Sequence, residues 1–227
     1  MIWAIKNNER IKATPKSKSN CPLCNQEVIS KCGLINIWHW AHKSNFECDS
    51  FGEPESSWHL NWKKHFPKEC QEFIMGKHRA DIRTKDRLII ELQNSPLSSK
   101  DIVERENYYK RMVWILNGHK LCNGIRFRKK KKNGIITFRW KNPPKSWWIS
   151  RKPIYIDLNF IPLEEMKKIP IESLNQTQKE FWEIFTNKIF LIKKLYHNIP
   201  CGGYGQLISK DVFIINHGGK PDGKRRA

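Results

Sequence analysis

Three short strand-like runs separated by tight turns constrain the fold of this chain more than any other feature. The runs are Glu72–Met75, Arg79–Thr84 and Leu88–Gln93, and the turns between them are Gly76-Lys77 and Lys85-Asp86-Arg87. Turns this short join strands that run in opposite directions. The pattern therefore predicts an antiparallel meander.

A helix is predicted on each side of these runs. Before them, Trp58, Trp62 and Phe66 recur at fourfold spacing, which is typical of an amphipathic helix. After them, a second helix is predicted to run to about Met112. Its candidate N-caps are Ser98, Ser99 and Asp101. The apolar Val113–Leu116 then has the pattern of a buried central strand. The predicted α/β order is helix, three-stranded antiparallel meander, helix, strand.

Asp81, Glu91 and Gln93 are candidate catalytic residues of the meander. Glu91 and Gln93 are two apart in one predicted strand and therefore share a face. If the two strands pair about Asp86, Asp81 lies across from Glu91. Two carboxylates placed so closely repel each other unless a cation lies between them. Mg²⁺ is the default cation for such hard oxygen ligands, and Mn²⁺ suits them too.

A surface hairpin whose acids face solvent is the alternative interpretation. However, Glu91 follows the apolar run Leu88–Ile90, where an unpaired charge would be costly. Arg79 and Arg83 lie on the same hairpin, as a phosphate-binding surface requires. Both features favour the metal site over the solvent-exposed hairpin.

The segment 21–48 is dense in Cys, His and Trp and is too short to build a core alone, so a metal is expected to stabilise it. Cys21 and Cys24 form a C-x₂-C pair, and His39 and His42 form an H-x₂-H pair. Two close pairs suit tetrahedral Zn²⁺ in a structural role, because four protein ligands leave no open position. Four unrelated residues in a short loop are the alternative. The reserve ligands are Cys32 and Cys48. The flanking aromatic residues, expected to pack the module rather than to stack on bases, are Trp38 and Trp40.

Taken together, several motifs show a family resemblance. They are Cys21-Pro22-Leu23-Cys24, His39-Trp40-Ala41-His42, Glu55-Ser56-Ser57-Trp58-His59 with Lys63, Arg79-Ala80-Asp81-Ile82, Ile90-Glu91-Leu92-Gln93-Asn94-Ser95, Glu104-Arg105, Tyr108-Tyr109 and Trp114-Ile115-Leu116. Over Cys21–Asn117 the chain resembles the competence protein CoiA family. The resemblance implies a zinc segment and a restriction-endonuclease-like nuclease core of the PD-(D/E)XK type, which handles incoming DNA during natural transformation.

The resemblance also implies residue roles. Asp81 and Glu91 would be Mg²⁺ ligands, with the backbone carbonyl of Leu92 as a further ligand. Glu55 matches the acid that completes such a site. Gln93 stands where the general nuclease pattern has a Lys, and it can orient water but carries no charge. Either the nuclease activity is lower than with a Lys at this position, or a Lys from elsewhere in the chain reaches into the site. The candidates for that Lys are Lys63 and Lys77. His59, one turn after Glu55, would contact water or phosphate, or be a partly buried helix residue.

The net charge of +20 and the pI of about 9.8 predict a polyanionic partner, because Lys and Arg release counterions when they bind phosphates. Arg105 is expected to contact phosphate, and Tyr109 is expected to pack. The full set of predicted nucleic-acid-binding residues is Lys63, Lys77, Arg79, Arg105, Arg126, Arg128, Lys129, Lys130, Lys131 and Lys132. The alternative for the basic run after Arg126 is a solvated hairpin tip between Ile125–Phe127 and Ile135–Phe138.

Four segments are predicted. Residues 1–50 form an N-terminal strand and the zinc module, 51–160 the nuclease-like core, 161–216 a C-terminal helical extension, and 217–227 a disordered basic tail. Within them, Ile154–Phe160 is predicted as a strand and Gln176–Tyr196 as an amphipathic helix.

The predicted function is Mg²⁺-dependent hydrolysis of DNA phosphodiester bonds, in competence or in defence against foreign DNA. A non-cleaving DNA-binding accessory protein with a degenerate nuclease fold is the alternative, and RNA is an alternative substrate. A homodimer and a recombination or defence protein partner stay open. With no long apolar run and no signal-like segment, the chain is expected to be cytoplasmic and not to bind a membrane.

Overall fold

The computed structural model describes residues 1–34, 37–43, 48–122, 124–130, 134–158, 186–196 and 201–222. The chain forms two compact units, Met1–Ile90 and Glu91–Ala227, and the boundary between them falls inside a strand. Both units contain helices and strands, so the fold is mixed α/β. Within the described residues, every helix is too short or too polar to cross a bilayer.

The first unit begins with a five-stranded antiparallel sheet. Its strands are β1 (Trp3–Lys6), β2 (Glu9–Lys12), β3 (Lys18–Asn20), β4 (Glu27–Lys31) and β5 (His39–His42), in the order β2-β1-β3-β4-β5. Asn7 and Asn8 both have positive φ, which suits the tight β1–β2 turn. The buried side chains of Ala4, Val28 and Trp40 belong to its core. The predicted N-terminal strand is therefore one member of a sheet that the sequence did not reveal.

The first unit continues with α1 (Ser57–Lys63), a single 3₁₀ turn (Lys68–Cys70), and the strands β6 (Gln71–Met75) and β7 (His78–Arg83). Ser56 caps α1 with its side chain. β6 and β7 are antiparallel, and β7 pairs antiparallel with β8 (Ile89–Gln93), with Ile82 opposite Ile90. These strands lie on the three predicted runs. The restriction-endonuclease assignment itself stays a prediction.

The second unit takes up the end of β8 and continues with α2 (Ser99–Tyr109), β9 (Met112–Asn117) and α3 (Gly118–Leu121). Ser98 caps α2, and every residue of β9 is buried. β9 runs parallel to β12 (Ile154–Asp157). The remaining elements are β10 (Ile125–Lys130), β11 (Ile135–Trp140), a 3₁₀ turn (Lys145–Ile149), β13 (Lys188–Tyr196), β14 (Cys201–Ser209) and α4 (Lys210–Asn216). Its strand order is β10-β11-β14-β13-β12-β9-β8.

The C-terminal region corrects two predictions. The predicted helix Gln176–Tyr196 is a strand over Lys188–Tyr196, and its first part lies outside the described residues. The run Ile189–Ile192 is continuously apolar, and such a run fits a buried strand as well as a helix. The helical extension over 161–216 therefore contains two long strands, β13 and β14, as well as α4.

The predicted tail also begins with defined structure. The His217 N–H donates to the Phe213 carbonyl at 3.2 Å, and the Gly219 N–H donates to the Ile214 carbonyl at 2.9 Å. Gly218 between them has a φ of 79°, as helix C-caps require. Disorder is therefore the wrong description for residues 217–219, and residues 223–227 lie outside the described part.

Candidate active site and metal centre

The buried side chain of Lys63 lies at the centre of a group of carboxylates in the first unit. It is in the last turn of α1 and only 3% exposed. Its Nζ donates to Glu55 Oε1 at 3.0 Å and to Oε2 at 2.9 Å, and it lies 2.9 Å from Asp81 Oδ1. Glu72 Oε1 lies 3.5 Å away. We call these four residues the lysine–carboxylate cluster.

The cluster keeps Lys63 charged. Burial alone would lower the pKa of the Lys63 ammonium. The negative charges of Asp81, Glu55 and Glu72 outweigh that effect and hold the pKa well above its usual value. Lys63 is therefore a fixed positive charge at neutral pH and cannot act as a general base.

Glu72 is the residue of this cluster that the sequence did not reveal as functional. Its Oε1 and Oε2 accept the Ile2 N–H at 2.9 and 3.0 Å, and Oε2 accepts the Trp3 N–H at 3.1 Å. Burial would raise the pKa of Glu72, but Lys63 and Arg79 hold it well below its usual value. Its φ of 45° is rare outside glycine, and such backbone strain is concentrated at functional sites. The N–H groups of Ile2 and Trp3, together with Lys63 and Arg79, therefore fix Glu72 in a charged state.

Glu55 differs from Glu72 although both face the same ammonium. Burial raises the pKa of Glu55, and the lowering effect of Lys63 is smaller than that of burial. The nearby charges of Glu72 and Asp81 raise it further. Glu72 accepts hydrogen bonds from backbone N–H groups and also faces Lys63, whereas Glu55 accepts its hydrogen bonds from Lys63. Glu55 is therefore the acid of this pair that takes up a proton first.

His59 stabilises the start of α1. Its Nδ1 accepts the Ser56 N–H at 3.2 Å, and its Nε2 lies 2.8 Å from Glu53 Oε1. The side chain is 2% exposed. Of the two interpretations of His59, the structure supports the buried helix residue, because phosphate could not reach the ring without opening this cap.

The other predicted residues of the first unit divide between the interior and the surface. Asp81 is on β7, and its side chain is 21% exposed, so solvent reaches it. The Arg79 N–H donates to Asp49 Oδ2 at 3.0 Å. Burial would lower the pKa of Arg79, but the charges of Glu72 and Asp49 raise it. Lys77 is exposed in the β6–β7 turn.

In the second unit, Glu91 and Gln93 are buried on β8, at 3% and 1% exposure. Glu91 Oε2 lies 3.5 Å from Arg105 Nη1, and Gln93 Nε2 donates to the Ser95 carbonyl at 2.8 Å. Arg105 is itself buried beside Glu91, and its phosphate contact stays a prediction. Tyr109 is buried, as its packing interpretation requires. The sharing of one cation by Asp81 and Glu91 stays a prediction.

The predicted basic run is described in part. Arg126 and Arg128 are exposed on β10, which pairs with β11 as the predicted hairpin. Lys129 and Lys130 end that strand, and their side chains are outside the described part of the structure. Lys131 and Lys132 lie outside the described residues altogether.

A second cluster of chemical interest is formed by Cys21, Cys24, His42 and Cys48, whose ligand atoms all lie within 4.8 Å of one another. Cys21 Sγ is 3.7 Å from Cys48 Sγ, and Cys24 Sγ is 3.2 Å from His42 Nε2. All seven cysteines are free thiols. This Cys₃His cluster has the soft and borderline ligands, and the number of them, that a structural metal ion takes.

His39 is not a member of the Cys₃His cluster, and Cys48 stands in its place. His39 and His42 are three residues apart in β5, and residues three apart in a strand point to opposite faces. His39 Nδ1 lies 2.7 Å from the Ile37 carbonyl instead. Cys48, one of the two reserve ligands, is brought to the cluster by the chain that follows β5.

Local backbone structure prepares the Cys₃His cluster for a cation. The Leu23 N–H points at Cys21 Sγ at 3.4 Å. Burial, together with the neighbouring Cys21, raises the pKa of Cys48 to about 12. A bound cation reverses such a shift, because it stabilises the thiolate.

Of the two tryptophans near these ligands, Trp40 is 1% exposed and packs this module as expected, whereas Trp38 is half exposed.

Comparisons with known proteins identify two domains of one family in the chain. The family model of the competence protein CoiA N-terminal domain matches residues 3–51, and that of the CoiA nuclease-like domain matches residues 63–149. The chain belongs to the competence protein CoiA family. The CoiA N-terminal match contains the whole Cys₃His cluster. The CoiA nuclease-like match contains Lys63, Glu72, Asp81 and Glu91, while Glu55 falls between the two matches.

Competence protein CoiA of Bacillus subtilis (strain 168) is 37% identical over 63 residues. That similarity spans 28% of this chain and 16% of the Bacillus protein. No solved structure matches the chain.

Proposed function

We propose that this chain is a metal-dependent nuclease that hydrolyses DNA phosphodiester bonds. One observation carries the proposal: in the nuclease-like domain, the partly exposed carboxylate of Asp81 lies 2.9 Å from the buried ammonium of Lys63. A carboxylate and a fixed cation side by side provide both a ligand for a metal ion and a positive charge for a phosphate.

The residues around Asp81 fit a hard divalent cation, because carboxylate oxygens are the ligands that Mg²⁺ and Mn²⁺ prefer. Asp81 and Glu91 would hold the ion, and Glu55 would complete the site. When bound, such an ion activates water and stabilises the charge that develops on the scissile phosphate. Water attacks phosphorus in line, the bond to the 3′ oxygen breaks, and that oxygen takes up a proton.

Lys63 is proposed to supply the positive charge that Gln93 lacks. The Gln93 amide donates to Ser95 and is buried, so it holds the end of β8 in place. The Lys63 ammonium remains charged because Glu72 and Asp81 surround it. A permanently charged ammonium can offset the negative charge that builds up on phosphate oxygens during attack.

We further propose that the Cys₃His cluster holds a structural Zn²⁺, and that the biological setting is the processing of incoming or foreign DNA. Four protein ligands would leave no open position for water, so this metal would not take part in hydrolysis. Its role would be to stabilise the five-stranded sheet, where Ile2 and the first residue of β1, Trp3, donate the two N–H groups that fix Glu72.

Purified full-length chain should cleave labelled DNA when Mg²⁺ or Mn²⁺ is added, and parallel digestion of RNA separates the two substrates. Asp81→Asn and Glu91→Gln should each lower the cleavage rate by at least about a hundredfold, as loss of a transition-state charge contact does. Glu104→Gln, on the exposed face of α2, is the matched control and should cleave normally. Cleavage that persists in both acid variants would refute the proposed site.

The second candidate function is a DNA-binding protein that does not cut. The Lys63 ammonium between Glu55 and Asp81 favours it, because an internal cation there competes with a metal ion. Such a protein would bind DNA in a salt-dependent manner and leave it intact with every divalent metal.

A further inference from the structure

An exposed face of the second unit's sheet combines arginines with tyrosines. Four residues lie side by side across four paired strands: Arg126 on β10, Arg139 on β11, Gly202 on β14 and Tyr196 on β13. Residues that are directly opposite in antiparallel strands share a face. With neighbouring strands about 4.8 Å apart, this row is roughly 14 Å wide.

A second row lies two residues further along the same strands. It consists of Thr137, Tyr204 and Lys194, paired in that order. Since residues two apart in a strand share a face, both rows lie on one surface. We call the seven residues of the two rows the Arg–Tyr face.

The opposite surface of these strands is the one that is buried. Phe138, between Thr137 and Arg139, is 2% exposed and packs against Phe190 with ring centroids 5.5 Å apart. A Cβ added at Gly203 would come within 2.9 Å of Phe138 Cζ, so Gly203 belongs to that buried surface. The Arg–Tyr face therefore points away from this core.

The side chains of the Arg–Tyr face are open to solvent. Arg126, Arg139 and Lys194 are exposed, and Tyr196 is 48% exposed. The ring centroids of Tyr196 and Tyr204 lie 6.4 Å apart. At Gly202, an added Cβ would meet only the Phe138 carbonyl oxygen, so a gap remains between Arg139 and Tyr196. The gap leaves room for a flat group.

The positive charges of this face favour the binding of an anion. Arg126 and Arg139 are directly opposite each other, and like charges in that position destabilise a sheet. Among the described residues, no carboxylate pairs with either guanidinium. A bound phosphate would turn this repulsion into a favourable interaction for both side chains.

We infer that the Arg–Tyr face binds single-stranded DNA, with phosphates on Arg126, Arg139 and Lys194 and with bases stacked on Tyr196 and Tyr204. Unpaired bases offer their flat surfaces to aromatic side chains, whereas the bases of a duplex are stacked on one another. The choice of DNA rests on the proposed function, and it deepens that function by naming the strand state of the substrate. The stacking itself requires no cleavage.

Fluorescence anisotropy of the full chain with a labelled oligothymidylate, without added Mg²⁺, tests the inference. Tyr196→Ser should weaken binding by about fivefold or more, because each base stacked on an aromatic ring contributes that much or more. Tyr196→Trp should preserve affinity. Arg139→Gln should weaken binding and lower its salt dependence. Lys100→Gln, which removes an exposed charge from α2 of the same unit, is the control and should change affinity little.

Several results would overturn the inference. Wild-type affinity in both Tyr196→Ser and Tyr204→Ser would show that stacking plays no part. Equal losses in Arg139→Gln and Lys100→Gln would show that only the overall charge matters. Tighter binding of duplex DNA or of single-stranded RNA would exclude the assigned ligand. If the variants behave as expected and the wild type never cleaves DNA, the binding face stands and the nuclease proposal fails on its own.

Discussion

Glu72 Oε2 accepts the backbone N–H of Trp3 at 3.1 Å, which joins β1 to β6 through a buried carboxylate. The same carboxylate faces Lys63, whose ammonium also contacts Glu55 and Asp81. The N-terminal sheet therefore holds Glu72 in position at the candidate active site. Substitutions that disrupt that sheet should therefore also disturb the lysine–carboxylate cluster, because Glu72 contacts both.

Lys63→Met should destabilise the protein severely. The change removes a cation that contacts three carboxylates, and breaking a buried ion pair on one side costs about 3–5 kcal/mol. Urea unfolding monitored by tryptophan fluorescence measures the loss. Lys64→Met is the matched control, because Lys64 is the next residue and is exposed. Equal stability of the two variants would show that the lysine–carboxylate cluster contributes nothing to folding.

Acid should destabilise the wild type partly through Glu72. Its pKa is held far below the ordinary value of 4.5 in the folded state, so the unfolded chain binds the extra proton as the pH falls. The stability that Glu72 contributes is thus complete above pH 4.5 and is lost progressively below it. Glu72→Gln should be less stable at neutral pH and should show a flatter decline in acid, measured by urea unfolding across that range. An unchanged decline would assign the acid sensitivity to other groups.

Parts of this structure follow from local sequence and parts do not. The tryptophan spacing predicts α1, and the short turns predict the positions of β6 and β7, because both patterns depend on neighbouring residues. The spacing of Cys21 and Cys24 predicts metal ligands for the same reason. The role of Glu72 cannot be predicted in this way, because its N–H donors come from Ile2 and Trp3, far away in the sequence. Nothing within β6 indicates them.

Because β13 is a strand that packs against Gly205, we expect a substitution at Gly205 to destabilise the protein. An added Cβ there would come within 2.5 Å of Phe190 Cζ and would also clash with the Leu191 carbonyl oxygen. Gly205→Ala should therefore destabilise the protein by about 3 kcal/mol or more, measured by chemical denaturation. Gly33→Ala is the control, since an added Cβ at Gly33 meets nothing within 4 Å. If residues 188–196 formed the helix that the sequence suggested, Gly205 would not pack against them and Gly205→Ala would be tolerated.

The structure places Cys48 in the Cys₃His cluster where the sequence predicts His39, and this difference can be tested by measuring zinc in purified variants. Cys48→Ala should lose zinc, because it removes one of four atoms that lie within 4.8 Å of one another. His39→Ala should keep it, since the His39 ring lies against the Ile37 carbonyl. Cys32→Ala, which removes a thiol outside the Cys₃His cluster, should also keep it. Zinc retained by Cys48→Ala and lost by His39→Ala would restore the ligand set expected from the sequence. Because a structural zinc site contributes directly to folding, Cys48→Ala should also lower the unfolding temperature of the first unit, and a zinc chelator should have the same effect on the wild type.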